Sequence, residues 1–467
     1  MTIDRAPHKF PGLPDISGIT SDSRTVRPGY LFAALPGSSR DGRAFIAEAV
    51  KNGAVAILAP EGTVWPTDVP PRALLTVADI RVHLAEMAAA FYAPLPERFF
   101  AITGTNGKTS SVDFLRQILS LAGRRAASIG TLGVIAPGRD PGTSLTTPDP
   151  VSLARVLGEL AGEGISDVAL EASSHGLDQR RLEGLRFTAA GFTNLTRDHL
   201  DYHGSMQAYG AAKLHLFSTL MAPCGTVCAM ADLESELLHR LRAVAAEQKQ
   251  NFELVAIERV TPRPDGQIVR IDGREVMLPL PGRFQADNAA LAASLAAAAG
   301  VKDAFSYLSR LQGVRGRLER VLVLPNGAAA YVDYAHTPDA IERVLSALRP
   351  HTQGRLHIVF GAGGDRDPGK RPLMGAAAAK GADVAIVTDD NPRSEDPAFI
   401  RKAVLAACPG GVEIGDRRAA IAAALAGLAT GDVLVVAGKG HEQGQIVKGE
   451  VIPFDDASVL RALGGVA

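Results

Sequence analysis

Residues Gly104-Thr105-Asn106-Gly107-Lys108-Thr109-Ser110 bring two glycines, a lysine and neighbouring hydroxyls into one short stretch. Glycines let backbone N–H groups turn toward a common point, a lysine reaches the terminal phosphates of a nucleotide, and a hydroxyl can hold Mg²⁺. The chemistry suited to this set is nucleoside triphosphate binding. The spacing is G-x-x-G-K-T, shorter than the usual G-x-x-x-x-G-K, because Ile102 stands where the longer loop has its first glycine. The alternative is an ordinary glycine turn capping a core helix. Phosphate binding needs a strand leading in and a helix leading out, and both are present. Residues 99–103 are an apolar run suited to a buried strand. Val112, Leu115, Ile118, Leu119 and Ala122 then recur at helical spacing, and Gly123 stands where a left-handed cap closes the helix.

Downstream, Glu171, Asn194, Asp198, His199, Asp201 and His203 gather oxygen and imidazole groups. Mg²⁺ at a triphosphate takes such ligands, usually few from the protein. The alternative is that Asp198 and Asp201 cap the next helix. His199-Leu200-Asp201-Tyr202-His203 lacks H-E-x-x-H spacing, which argues against a zinc hydrolase. No G-x-S-x-G elbow occurs, and nothing pairs Asp149 with Glu171 in the manner of a glycosidase.

The 467 residues exceed one core, so two to four domains are expected. A hydrophobic content of 46% with 21% charged residues fits a globular chain, and a net charge of −1 argues against nucleic-acid or anionic-membrane binding. The opening residues carry no charged-then-apolar leader, and the longest apolar stretch, 289–299, is too short to span a bilayer. Cys224, Cys228 and Cys408 form no C-x-x-C pair and read as small buried residues in a reducing cytoplasm.

Strand and helix signals alternate along the chain. Strands are expected at 30–34, 54–59, 126–129, 168–170 and 189–192. Helices are expected at 41–52 and 78–92 and after Asp149-Pro150. Pro94-Leu95-Pro96 reads as a stiff linker. Glu171 and Thr193-Asn194 fall at strand carboxyl ends, where open parallel sheets place ligand groups. In the last third, strands at 356–360, 384–387 and 433–437 empty into polar loops at 361–367, 389–393 and 438–442. Three charged loops at strand ends suggest one shared crevice.

Together, Gly104 to Thr109, Glu171 to Gly176, Thr193 to His203, Gly316-Arg317-Leu318-Glu319 and Asp333-Tyr334-Ala335-His336 resemble the Mur ligases of peptidoglycan synthesis, in the family's order over nearly the whole chain. Asp390-Asn391-Pro392-Arg393 and Gly438-Lys439-Gly440-His441-Glu442 are similar to the segments of the member that adds meso-2,6-diaminopimelate to UDP-N-acetylmuramoyl-L-alanyl-D-glutamate. The resemblance implies an α/β, three-domain architecture: a UDP-binding domain at 1–95, a central domain with a P-loop ATPase-type sheet at 96–315, and a Rossmann-like amino-acid domain at 316–467. It implies a cytoplasmic monomer. It also implies a reaction in which ATP phosphorylates the D-glutamyl carboxylate and the amine attacks the acyl phosphate.

By matching position, the resemblance gives Gly104, Thr105, Asn106, Gly107, Lys108, Thr109 and Ser110 to the phosphates, and Asn288, Arg317 and Asp333 to the rest of the nucleotide. Thr109 or Ser110, Glu171 and His199 would serve Mg²⁺, and Lys213, as a carbamate formed with CO₂, a second Mg²⁺. On its own, Lys213 reads as a surface lysine of a helix. Ser21, Ser23, Ser38, Ser39 and Arg40 would hold the UDP-sugar. Thr146, Thr147, Ser173, Gln179 and Arg181 would line the sugar-peptide, and Arg366, Asp390, Asn391, Pro392, Arg393, Gly438 and Glu442 the amino acid.

Two positions depart from the family pattern: Leu145, where asparagine often precedes the paired threonines, and Gln285, in place of the first asparagine of G-x-F-N-x-x-N. The choice of amino acid also has a physical basis. Diaminopimelate differs from lysine by a second carboxylate, which Arg393 and Arg366 could bind, while Glu442 offers a partner to the distal ammonium. Competing readings are a related ligase using lysine or glutamate, as in folylpolyglutamate synthases, a P-loop kinase, and a non-catalytic nucleotide-binding scaffold. The chain has no N-K-x-D guanine signature.

Overall fold

Apolar runs alternating with amphipathic ones build parallel sheets flanked by helices. The computed structural model describes residues 8–37, 40–140, 142 and 145–465. The chain divides into two compact units, Met1–Lys108 with Leu119–Leu254, and Thr109–Ile118 with Val255–Ala467.

In the first unit, Gly18–Thr20, Tyr30–Ala33, Ala56–Pro60 and Ala73–Val77 form a parallel sheet in chain order. Successive side chains point to opposite faces. Leu31, Ala33, Ala56 and Leu58 therefore pack with Leu84, Met87 and Phe91 of the helix Ile80–Phe91, while Phe32, Ala34, Ile57 and Ala59 pack with Ile46, Ala49 and Val50. The helix expected over 41–52 is two pieces, a 3-10 turn Gly42–Phe45 capped by Asp41 and an α-helix Ile46–Lys51. Gly42 is held against Leu35 by an N–H···O bond of 2.9 Å, which starts the segment on the tighter turn.

The central sheet of this unit runs Asn251–Val255, Met221–Met230, Phe187–Phe192, Arg98–Thr103, Asp167–Glu171, Ala126–Gly130, Gly133–Ile135. The run from Met221–Met230 to Ala126–Gly130 is parallel, and Gly133–Ile135 folds back antiparallel. Arg98–Thr103 lies between the strands ending at Glu171 and Phe192, with Ile102 opposite Glu171 and Thr103 opposite Phe192. That order brings three carboxyl ends together where ligands bind in such sheets. Asp149 caps the helix Pro150–Gly162, with proline in its first turn as expected.

In the second unit, an antiparallel sheet of Arg259–Arg263, Gly266–Ile271 and Arg274–Leu278 precedes the helix Arg283–Ala298. A further sheet runs Glu319–Val323, Ala329–Asp333, Val433–Ala437, Leu356–Phe360, Val384–Val387, Val412–Glu413. Only its first pair is antiparallel. Near-continuous apolar strands such as Leu356–Phe360 are what a sheet covered on both faces requires. A hairpin, Gly444–Val447 with Glu450–Pro453, follows.

Arg417 and Asp456, both fully buried, form a two-pronged ion pair with both bonds at 2.7 Å, tying the last helix to the sheet through Ala437 O. Removing one partner of such a pair strands the other charge. Arg417→Leu is expected to lower the unfolding free energy of this unit by ~3–5 kcal/mol in urea titrations. Arg417→Leu with Asp456→Leu should regain most of that; a double variant no better than the single would refute the ion-pair account.

Candidate active site

The phosphate loop is braced by the strand end beside it. Gly104 has φ +141°, and a Cβ there would overlap the Thr193 hydroxyl. Thr193 Oγ1 donates to Asn106 O at 2.6 Å, Asn194 Oδ1 accepts from Asn106 N–H at 3.0 Å, and Thr105 N–H donates to Asn194 O at 2.8 Å. Lys108, at the start of the helix Lys108–Leu121, curls back so that Nζ donates to Gly104 O at 2.9 Å and Thr105 O at 2.8 Å. Thr109 and Ser110 follow in the first helical turn, where backbone N–H groups lack partners in the helix.

Lys213, in the helix Met206–Thr219, is 1% exposed, and its Nζ donates to the same Gly104 O at 2.8 Å. Burial and the Lys108 charge pull its amine down to about 6, against a smaller opposing effect of Asp198. At neutral pH this lysine is mostly an uncharged, nucleophilic amine. It is not the surface lysine its helix pattern suggests.

Glu171 is buried at the end of its strand. Its Oε1 accepts from Thr131 N–H at 2.8 Å and its Oε2 from the Thr131 hydroxyl at 3.3 Å. Gly130 makes room for it, since a Cβ there would overlap the carboxylate. His199, half exposed at φ +52°, meets His175 edge to face at 4.8 Å, and His175 lies 4.2 Å from the Tyr202 ring and 5.5 Å from His203. Burial lowers His175 and His203, helped in each case by the charge on His199. The capping alternative for Asp198 and Asp201 does not hold: His199 is the cap residue of Leu200–His203, without a side-chain cap bond, and Asp198 accepts the His199 N–H at 2.8 Å and lies 3.5 Å from the His199 ring.

The candidate sugar-peptide residues meet around Glu171. Thr147 Oγ1 donates to Glu171 O at 2.7 Å and lies 2.9 Å from Ser173 Oγ, while the Thr146 and Thr131 hydroxyls are 3.1 Å apart. Arg181 Nη1 donates to Thr147 O at 2.6 Å and Nη2 to Gln179 Oε1 at 2.7 Å. Arg81 donates to Pro36 O at 2.8 Å, and its charge reaches Arg181 and Tyr202, linking this cluster to the 36–40 loop. In that loop Arg40 is exposed, and Ser38 and Ser39 lie outside the described residues. Ser21 is exposed, and the Ser23 hydroxyl donates to Glu48.

In the second unit, Asp333 ends its strand and accepts Leu318 N–H at 2.7 Å and Ala335 N–H at 2.8 Å. Burial raises its carboxyl, against the opposing Arg317 charge and those two bonds. Arg317 lies over the Tyr334 ring at 4.8 Å, and its Nε is buried without a hydrogen bond. Gln285 Nε2 donates to Arg317 O at 3.0 Å, and Gln285 Oε1 is 3.4 Å from Asn288 Nδ2. A Cβ on Gly316 would overlap His441 N, so the 316–319 turn and the 438–442 loop are in contact. Burial, with Arg317 and Arg315, takes His441 down to about 4.

The three expected loops adjoin one another: Gly364 N–H donates to Asn391 O at 2.9 Å, and Lys439 Nζ donates to Asn391 Oδ1 at 2.9 Å. A Cβ on Gly438 would come within van der Waals reach of the Asp390 carboxylate, one on Gly440 would overlap Tyr334, and the space beside Gly363 is flanked by Arg393 Nη1 and Arg366 Cγ. Arg393, at φ +53°, donates from Nη1 to Gly364 O at 2.7 Å. Asn391 Nδ2 donates to Glu442 Oε2 at 3.0 Å. Arg366 and Arg393, near the Asp390 and Glu442 carboxylates, suit a ligand end that carries both charges.

A model of the Mur ligase middle domain matches residues 102–297, one of the Mur ligase glutamate ligase domain residues 316–440, and one of the Mur ligase family catalytic domain residues 15–93. The chain is 54% identical to UDP-N-acetylmuramoyl-L-alanyl-D-glutamate–2,6-diaminopimelate ligase of Caulobacter vibrioides, over 97% of this chain and 96% of that protein. The chain belongs to the Mur ligase family. The ligase of the same name from Rhizobium meliloti is 50% identical over 97% of this chain and 95% of its own. A solved structure of a ligase with that name aligns at a TM-score of 0.72 and 32% identity, covering 97% of this chain and 95% of that one. MurF ligase from Thermotoga maritima, solved with ADP, aligns at a TM-score of 0.59 and 18% identity over 90% and 93% of the two chains, a likeness of fold alone.

The α/β class with parallel sheets, read from the sequence as the Mur ligase architecture, is thus borne out. In this Mur ligase Gly104 to Lys108, Glu171 and Lys213 are gathered within the first unit, and Arg317, Asp333 and the amino-acid loops within the second. Motif reading passed over Gly130, Thr131 and Arg81, and gave no role to Tyr334 and the buried Lys439 within the motifs that contain them.

Gly130→Ala is expected to displace Glu171 and cost about 1–3 kcal/mol of stability. Adding Glu171→Ala should relieve the overlap, so a double variant less stable than Glu171→Ala alone would refute it. Lys213 makes a second prediction. Unfolded, its amine binds a proton up to an ordinary lysine value, whereas folded it releases it near 6. In CO₂-free buffer, stability should rise with pH between about 6 and 10, and Lys213→Met should flatten that rise in urea midpoints.

Proposed function

We propose that this Mur ligase joins meso-2,6-diaminopimelate to UDP-N-acetylmuramoyl-L-alanyl-D-glutamate with ATP. The observation that carries the reading is the meeting of three loops that brings Arg366 and Arg393 near Asp390 and Glu442. Relatives about half identical bear the name of that reaction. The distal end of diaminopimelate is a carboxylate beside an ammonium, and these loops offer a partner to each. Lysine would leave the arginines without a carboxylate, a loss of the kind that separates close analogues.

A carboxylate becomes electrophilic only when its oxygen is made a leaving group. The side-chain carboxylate of the D-glutamyl residue attacks the terminal phosphorus of ATP, releasing ADP and leaving an acyl phosphate. The amine then adds to the carbonyl carbon, and the tetrahedral adduct loses a proton and inorganic phosphate to give the amide. The Gly104–Gly107 backbone and Lys108 hold the phosphates, exchanging the lysine's bonds to Gly104 O and Thr105 O for phosphate oxygens. Asn288, Arg317 and Asp333 take the rest of the nucleotide. Thr146, Thr147, Ser173, Gln179 and Arg181 line the sugar-peptide, with Ser21, Ser23 and the 38–40 loop on the UDP moiety.

Mg²⁺ would neutralise charge on the transferring phosphoryl group. Glu171, His199 and the Thr109 or Ser110 hydroxyl would hold it, and a carbamate on Lys213 would hold a second Mg²⁺. The donors suit it: Glu171 Oε2 receives only a 3.3 Å bond, and the His199 ring is half exposed. Among the described residues no three His, Cys, Asp or Glu side chains group to hold a metal ion alone, so phosphate oxygens and water would complete its shell. The uncharged amine of Lys213 supports carbamate formation: nitrogen attacks the carbon of CO₂ and sheds a proton, converting a neutral group into an anionic ligand.

The same reading takes the domains as 1–95, 96–315 and 316–467, supported by the three family matches that fall within them. It takes the enzyme as a cytoplasmic monomer that binds no nucleic acid. Among the described residues no helix is long and apolar enough to cross a membrane.

Mass analysis of the product from UDP-linked dipeptide and ATP–Mg²⁺ is the direct test. Diaminopimelate should be incorporated with stoichiometric phosphate release and lysine should not; preferred lysine incorporation would overturn the assignment. Arg393→Ala should lower kcat/KM for diaminopimelate about ten- to hundredfold while leaving the KM for ATP near its starting value.

A further inference from the structure

Lys439 is fully buried between the strand Val433–Ala437 and the hairpin that begins at Gly444. Its Nζ donates to Gly444 O at 2.7 Å and Asn391 Oδ1 at 2.9 Å, and lies 3.4 Å from Asp390 Oδ1 and 3.8 Å from Glu442 Oε2. Asn391 Oδ1 also accepts Ile446 N–H at 2.9 Å. An amide oxygen receiving two donors leaves its NH₂ pointing the other way, and here that NH₂ donates to Glu442 Oε2. The orientation of the Asn391 amide is therefore set by Lys439 and one backbone N–H. The orientation of Glu442 is set by that amide in turn.

The surrounding carboxylates point the same way. Asp390, Glu442 and Asp456 lie around Lys439 and Arg417, Asp390 and Asp456 buried and the Glu442 side chain 35% exposed. Asp390 Oδ1 is buried without a hydrogen bond, and Glu442 Oε1 has no hydrogen bond among the described residues. Each of these two carboxylates thus keeps an oxygen able to accept a further donor. A buried ammonium that satisfied a carboxylate outright would cancel the attraction for a ligand cation. Lys439 instead gives its short bonds to the Asn391 amide and a carbonyl oxygen, holding both carboxylates at longer range.

We propose that Lys439 is the positioning residue for the amine donor, its ammonium orienting Asn391 so that Glu442 presents its open oxygen to an ammonium group of the incoming amino acid. Burial lowers the Lys439 amine while Asp390 works to keep it charged. The inference rests on the diaminopimelate reading above. Lysine suits the place because its compact ammonium directs three donors from a slender stem, whereas the flat fork of arginine would not fit so enclosed a space.

The test is steady-state kinetics of Lys439→Met and Lys439→Gln with diaminopimelate and ATP varied separately. Lys439→Met should raise the KM for diaminopimelate at least about tenfold with little change in the KM for ATP, and Lys439→Gln, which keeps a donor, should fall between. Glu442→Gln should cost less in the Lys439→Met background than alone, because Glu442 is already misaligned there. Equal loss of kcat for every substrate, or strict additivity with Glu442→Gln, would make Lys439 a structural staple and overturn the proposal. If Lys439→Met does not fold, amide hydrogen exchange in the unaltered enzyme decides. Diaminopimelate should slow exchange at Ile446, which is bonded to the same Asn391 oxygen, and unchanged exchange there would overturn it. Failure of the unaltered enzyme to use diaminopimelate would sink the substrate reading instead, whatever Lys439 does.

Discussion

Two lysine amines meet one carbonyl oxygen at Gly104, and the first unit is arranged around that crowding. Lys108 and Lys213 both donate to it, one from the loop's own helix and one from a helix 109 positions further along the chain. Burial of Lys213 penalises its charge, and repulsion from the Lys108 ammonium adds to the cost, so its proton is shed at about pH 6. What results is a loop with a fixed cation, a helix start and a nucleophilic amine beside it. Such a place is unfavourable for itself and favourable for anions, the condition a triphosphate site must satisfy. The bracing from Thr193 and Asn194 keeps the loop from relaxing away from it.

The second unit also desolvates charge at strand ends. Fully buried Arg417 and Lys439 lie beside the ends of parallel strands, with Asp390, Glu442 and Asp456 around them. Both units therefore use the same device. Charges are desolvated at strand carboxyl ends, where ligands of such sheets bind. Stability is given up locally for recognition, and deep ion pairs such as Arg417–Asp456 hold the surrounding frame in place.

Strands read from apolar runs at 356–360, 384–387 and 433–437 lie where expected, because a strand buried on both faces shows an unbroken apolar signature. The phosphate loop was readable for a similar reason, its glycines and lysine being adjacent in sequence. Lys213 was not. Its helix carries no strong polar face, and the partner that buries it is a carbonyl far away in sequence. Gly130 and Lys439 escaped likewise, since the need for a missing Cβ or an enclosed ammonium arises only when distant strand ends are brought side by side. The helix expected over 41–52 was misjudged locally, where Asp41 and Leu35 draw Gly42 into a tighter turn.

The departure at Gln285 shows how far residue matching can carry. An asparagine there would offer the same amide on a shorter stem. Gln285 is fully buried in the first turn of the helix Arg283–Ala298, and its amide spans to Arg317 O while its oxygen lies near Asn288. With one methylene fewer, an amide fixed on the same helix would either fall short of that carbonyl or draw the 316–319 turn inward. That turn is already confined, for Gly316 has no room for a Cβ against His441 and Leu318 sits at positive φ. The longer side chain is thus matched to where the turn lies. It sets the backbone from which Arg317 projects, so the substitution is part of how this chain holds its arginine, not a neutral exchange of amides.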